Sequence, residues 1–175
     1  MDLTADFFSL FDLPRRFALE LAELDRRYRD LQAEVHPDRF AAAGDAEKRL
    51  SMQWATQANE AYRTLKKPLE RAKYLLHLAG HDVQADKNTA MPAEFLMEQM
   101  EWREAVADAR AGGDHHELEQ LLERLNADLT AHYGELAALI DELADWPKAA
   151  EAVRRLMFME RLLTEIEDAL AALEE

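Results

Sequence analysis

Tyr28-Arg29-Asp30-Leu31-Gln32-Ala33-Glu34-Val35-His36-Pro37-Asp38-Arg39-Phe40 is the stretch on which the reading of this chain turns. Leu21, Leu24, Tyr28, Leu31 and Val35 recur at steps of 3, 4, 3 and 4, which makes one apolar stripe along an α-helix. Arg26, Arg27 and Arg29 stand away from that stripe, so the outer face of the helix is basic. Pro37 disfavours helical backbone at the residue before it, and the helix should end at His36. Residues 40–44 carry the chain onward as a loop. Leu50, Trp54, Ala58, Ala61 and Leu65 then step by 4, 4, 3 and 4 on a second long helix, with Asp45 as its expected N-cap. Antiparallel packing of the two helices places His36-Pro37-Asp38 at one tip.

Working outward, Asp6-Phe7-Phe8-Ser9-Leu10-Phe11 reads as a short aromatic helix stopped by Pro14, and 69–78 as a short helix closed by Gly80 in the C′ place. Residues 81–90 are polar and aperiodic, hence a linker. Pro92 suits a first helical turn, and the helix that follows runs to Gly112-Gly113. Asp114 with Glu117 forms a capping box for a helix whose stripe is Leu118, Leu122, Leu125, Leu129, His132, Leu136 and Leu143. Asp145 caps a last helix with the stripe Leu156, Met159, Leu163, Ile166, Leu170 and Leu173. No segment alternates as a strand would. The expected fold is all-α: a helical hairpin with short flanking helices over 1–80, the 81–90 linker, and an antiparallel three-helix bundle over 91–175.

The net charge of −15 lies wholly in the second half: residues 81–175 hold 8 Lys/Arg against 23 Asp/Glu, whereas 1–80 hold 13 of each. Such a half is repelled by nucleic acid and by anionic membranes, and neither is an expected partner. It is either a solvated acidic surface or an acidic docking face. Five Gly and five Pro in 175 residues leave room for long helices, and no cysteine means no disulfide, thiol nucleophile or thiolate-held cluster. The acidic start lacks a targeting pattern, and a soluble cytoplasmic protein, monomeric alone, is the expectation.

An enzyme finds little support. Gly-rich phosphate loops, His-Glu-x-x-His and Gly-x-Ser-x-Gly are all missing from the sequence. His77 with His81, and His115 with His116, lack a third ligand nearby in sequence, so no metal or cofactor is expected. Two places invite docking instead. His36-Pro37-Asp38 is either an ordinary connection or a rigid polar tip beside a basic helix, suited to an acidic partner. On the helix after Pro92, Phe95, Trp102 and Val106 share a core-facing side, while Leu96, Met97 and Met100 form a second apolar cluster edged by Glu101 and Glu104. Phe158 lies about 120° from the centre of the last helix's stripe at 100° per residue. This surplus is either a broad core contact or a protein-binding patch.

Residues 6–68 resemble a J domain. The opening Asp6-Phe7-Phe8-Ser9-Leu10-Phe11, Tyr28-Arg29-Asp30-Leu31, the His36-Pro37-Asp38 signature and Asn59-Glu60-Ala61-Tyr62-Arg63-Thr64-Leu65 with Pro68 carry that likeness. No Gly/Phe-rich or Cys-rich segment follows, so general folding J proteins fit poorly. Leu13-Pro14-Arg15-Arg16-Phe17, Arg71-Ala72-Lys73-Tyr74-Leu75-Leu76 and Phe95-Leu96-Met97-Glu98-Gln99 extend the resemblance to the HscB family over nearly the whole chain. The family departs from this chain at Arg39, where Lys is usual, and at Met157, where a basic residue is frequent. The resemblance implies a non-enzymatic co-chaperone. It would stimulate a DnaK-class ATPase of the HscA type through His36, Pro37, Asp38, Arg26, Arg27, Arg29 and Arg39. It would hold an IscU-type iron–sulfur scaffold protein through Leu96, Met97, Met100, Glu101, Glu104 and Phe158. The alternatives are a general J-domain co-chaperone, a homodimeric structural protein joined through the Met/Phe patch, and a hydrolase on the bundle.

Overall fold

The computed structural model describes residues 4–83 and 91–174. The 84–90 part of the expected linker therefore lies outside the described residues. Every regular element among them is helical, as expected: α1 (Phe7–Leu10), α2 (Leu21–Val35), a 3₁₀ turn (Pro37–Phe40), α3 (Asp45–Lys66), α4 (Pro68–Leu78), α5 (Ala93–Gly112), α6 (His115–Asp141) and α7 (Trp146–Glu174). The chain divides into two compact units, Met1–Leu75 and Leu76–Glu175, so α4 carries the division.

In the first unit α2 and α3 pair as a hairpin, and α1 packs on α3. The Asp6 carboxylate accepts from the amides of Phe8 and Ser9 at 3.0 and 3.1 Å, which caps α1. At the other end Asp12, at φ 53°, lets Leu13 N–H reach back to the Phe8 carbonyl at 2.9 Å, a Schellman closure. That closure drives Phe8 and Phe11 into the core with Phe17. The hairpin is joined by paired aromatics. Tyr28 stacks on Tyr62 with centroids 4.0 Å apart and donates to Asn59 Oδ1 at 2.6 Å, while Tyr62 donates to Asp25 at 2.7 Å. Leu24, Ala58, Ala61 and Leu65 are buried between the helices. The stripe differs from expectation at its upper end, where Leu21 is 44% exposed. The N-cap of α3 also differs. Gly44, not Asp45, holds that place, and the Glu47 carboxylate accepts from its N–H at 3.3 Å.

The end of α3 rests on Arg71, which is buried, lies over the Phe17 ring at 5.0 Å and donates to the Leu65 carbonyl at 2.6 Å. A cation at a helix C-terminus meets the negative end of the helix dipole there, which offsets part of its desolvation.

In the second unit each of α5, α6 and α7 packs on the other two, and short connections make them an antiparallel three-helix bundle. Gly113, at φ 62°, ends α5, and Asp114 accepts from Glu117 N–H at 3.0 Å to start α6. Asp145 likewise accepts from Lys148 N–H at 3.2 Å at the start of α7. The α5 core face is Phe95, Trp102, Val106 and Ala109. On α6 Leu121 and Ile140 are buried, whereas the expected stripe residue Leu143 is 66% exposed. On α7 the buried line runs through Val153, Leu156, Met159, Leu162, Ile166 and Ala169, so Leu162 and Ala169 take the places expected of Leu163 and Leu170. No described helix is long and apolar enough to cross a membrane.

Candidate functional site

The tip of the hairpin is built by the end of α2. Pro37 has no N–H and a fixed φ, so the chain leaves the α-helix at His36 and tightens into the 3₁₀ turn. His36 caps that turn itself: its Nδ1 accepts from Asp38 N–H at 3.2 Å, and its carbonyl accepts from Arg39 N–H at 3.0 Å. A neutral ring with Nδ1 accepting carries its proton on Nε2, which leaves a donor for a partner. The His36 and Asp38 side chains are 53% and 92% exposed and stand 3.6 Å apart. The turn is therefore fixed through its backbone and offers its polar groups to solvent.

Two contacts hold the tip from beneath. Ser51 on α3 is fully buried and donates through Oγ to the Val35 carbonyl at 2.8 Å, one of the α2 C-terminal acceptors that lack an intrahelical partner. Phe40 meets Trp54 edge-on at 6.4 Å. Arg39 turns back and donates to the Ala33 carbonyl at 3.3 Å, so its charge sits against the negative end of the α2 dipole.

The basic face of α2 is less basic than its sequence. Arg26 and Arg27 both bond the Glu23 carboxylate, and Arg27 also reaches Asp12 at 3.2 Å. Hydrogen bonds from Arg27 and then Arg26 hold Glu23 below the usual carboxylate range. Arg29 has no ion-pair partner among the described residues and is exposed, so it carries the strongest unbalanced charge of the three.

The second candidate surface lies on α5. Leu96, Met97 and Met100 are 48%, 63% and 71% exposed, with Glu101 and Glu104 exposed beside them. Those three are not core. Phe158 is half-buried: it packs edge-on against the buried Phe95 at 5.8 Å and lies under the Arg103 guanidinium at 5.6 Å. Gln99 and Arg103, one turn from Leu96 and Met100, line a cleft with Phe158. Sequence reasoning missed Arg103 as a neighbour of the patch, although its i+7 spacing from Leu96 could have found it.

The adjacent His115 and His116 have different partners. His115 lies 3.6 Å from Glu119, His116 3.0 Å from Gln120 Nε2, and no group of three metal-ligating side chains occurs among the described residues.

Residues 91–167 match the family described as the HSCB C-terminal oligomerisation domain. The chain is 60% identical to the co-chaperone protein HscB homolog of Aromatoleum aromaticum, over 99% of this chain and 98% of that one. Its fold is similar to that of the chaperone HscB from Vibrio cholerae, at 35% identity and a TM-score of 0.84, over 97% of this chain and 99% of that chain. Human co-chaperone protein HscB is likewise similar, at 31% identity and a TM-score of 0.86, covering 95% and 83% of the two chains. An exposed His-Pro-Asp turn on a helical hairpin, a bundle with an apolar patch, and identity along nearly the whole length agree: the chain belongs to the HscB family of co-chaperones.

Proposed function

We propose that this co-chaperone is an adaptor with two docking sites, one in a J domain over 1–80 and one in a bundle over 91–175. The first engages a DnaK-class ATPase chaperone of the HscA type. His36 and Asp38 make polar contacts with it, Pro37 fixes the turn, Arg39 braces the turn against α2, and Arg26, Arg27 and above all Arg29 attract an acidic surface. The second holds an iron–sulfur scaffold protein of the IscU type on Leu96, Met97, Met100 and Phe158, with Glu101 and Glu104 at the rim. Methionine suits this role because its flexible thioether repacks against a partner at little cost.

Tethering supplies the mechanism. Holding the scaffold raises its effective concentration at the chaperone without any new contact between those two proteins. The tip then biases the chaperone toward hydrolysing its own ATP, and the phosphoryl chemistry belongs to the chaperone. The observation that carries the reading is the exposed tip, whose backbone is held by Ser51 and by His36 itself while its polar atoms face solvent.

A two-part assay tests it. Leu96→Ala with Met100→Ala should weaken scaffold binding in calorimetry by about 10- to 100-fold, on the order of 1.5–3 kcal/mol for two buried apolar side chains. The same variant should stimulate the chaperone's ATPase normally when the scaffold is left out. Undiminished scaffold affinity would remove the patch from the account.

A further inference from the structure

Of the eight Lys/Arg after residue 80, five are arginines of α5 and α7: Arg103, Arg110, Arg154, Arg155 and Arg161. They stand in a stretch that also holds 23 Asp/Glu. Arg155 is partly accounted for, since it lies 3.8 Å from Glu98 and over the Phe95 ring. Arg103 and Arg161 are exposed and have no ion-pair partner among the described residues.

Arg103, Arg154 and Arg161 line one open cleft of about 420 Å³ with Gln99, Met157 and Phe158. Arg103 and Arg161, without an ion-pair partner among the described residues, bring two unneutralised guanidinium groups to this cleft, and an anion between them relieves their mutual repulsion. The planar fork of arginine matches a carboxylate bidentately, and its weaker hydration lowers the cost of doing so. The apolar part of the wall, Met157 and Phe158, favours a peptide over a free inorganic anion.

Continuity with the patch indicates whose peptide it is. Arg103 stands only about 20° from Leu96 around α5 at 100° per residue, while Glu104 and Glu101 stand about 80° and 140° away on the other side. The exposed Leu96 and Met100 therefore lie between a basic cleft and an acidic margin. A surface with opposite charges on its two edges accepts a partner in one orientation only.

We infer that the Arg103–Arg154–Arg161 cleft receives an Asp/Glu-bearing segment of the scaffold protein and so orients that protein on the Leu96/Met97/Met100 patch. This rests on the adaptor reading above. Because the cleft is open and its charges are partly solvated, it acts mainly on the rate of association and on its salt dependence.

The test measures association of the full chain with the IscU-type scaffold protein by stopped-flow, at about 50 and about 500 mM salt. Arg103→Gln with Arg161→Gln should slow association about tenfold at the lower salt and leave it near the parent rate at the higher. The exposed single variant Arg161→Gln should show part of the same loss, and Arg103→Lys with Arg161→Lys should retain most of the parent rate. Equal rates for parent and both Gln variants at low salt overturn the cleft, while a loss in Leu96→Ala/Met100→Ala keeps the patch. No measurable binding by the parent chain, or none lost on Leu96→Ala/Met100→Ala, overturns the adaptor reading and the cleft with it. A doubled mass in sedimentation that Arg103→Gln/Arg161→Gln abolishes also overturns it, in favour of a second copy as occupant.

Discussion

Ser51→Ala separates the support of the tip from the tip itself. Ser51 is fully buried, and its hydroxyl donates to the Val35 carbonyl at 2.8 Å across 16 residues of sequence. That carbonyl has no helical donor, because Pro37 ends α2 and the Arg39 amide turns to His36 instead. Removing the hydroxyl strands a buried acceptor, so the loss exceeds the net value of one hydrogen bond and reaches about 1–3 kcal/mol. The methyl group left in place keeps the packing nearly intact, and almost all of the loss is polar. Amide exchange over residues 36–43 should speed up by about 5- to 150-fold, the same free energy expressed as an opening equilibrium. Chaperone ATPase stimulation should fall while scaffold binding stays at the parent value. Exchange within twofold of the parent, with stability unchanged in urea unfolding, would refute the claim that α3 holds the turn from beneath.

Two further outcomes follow from local geometry. Burial pushes the Asp6 carboxyl up, but hydrogen bonds from Ser9 and Arg15 outweigh that and hold it below the ordinary carboxylate value. A depressed folded value means the stabilisation is fully present above the unfolded value of about 4 and is lost as pH falls through the folded one. The stability difference between the parent and Asp6→Asn should thus be constant from about pH 8 to 5 and shrink below about pH 4; a difference that grows on acidification contradicts it. Gly113→Ala puts a Cβ at φ 62° with only Leu173 Cδ2 near it, at 3.9 Å, an ordinary contact. The cost is then conformational, about 1–2 kcal/mol by urea unfolding, and a neutral substitution would contradict it.

The helices were legible because each carries a 3–4 apolar period between clear stops, and the hairpin because Pro37 and Gly44 bracket its tip. Leucine spacing alone sets the wrong phase on α7. Ala169 is buried on α7 and stands about 20° from Leu162 at 100° per residue, so that line takes Leu162 rather than Leu163 and leaves Leu173 42% exposed. Alanine is common both inside and outside helices, so a stripe built from large residues drifts in phase where small ones set the close contact. The supports of the site were hidden for another reason. Ser51 and Arg71 are polar, yet both are buried because a helix-end carbonyl awaits them, and no periodicity reveals that pairing. On α5 the reverse held: an excess of apolar residues over one core stripe pointed to Leu96, Met97 and Met100, which are exposed. Arg103 and Arg161 escaped notice because charged residues on acidic helices look like solvation until the neighbouring helix is in place.

The central claim is that the tip acts on a chaperone while its fold is independent of that act. His36→Gln tests it most directly, because the His36 side chain is half-exposed and, among the described residues, bonds only within its own turn. The measurement is single-turnover ATP hydrolysis by the HscA-type chaperone, with the circular dichroism of the variant taken alongside. The account predicts loss of stimulation with an unchanged helical spectrum. Stimulation equal to that of the parent chain would contradict it.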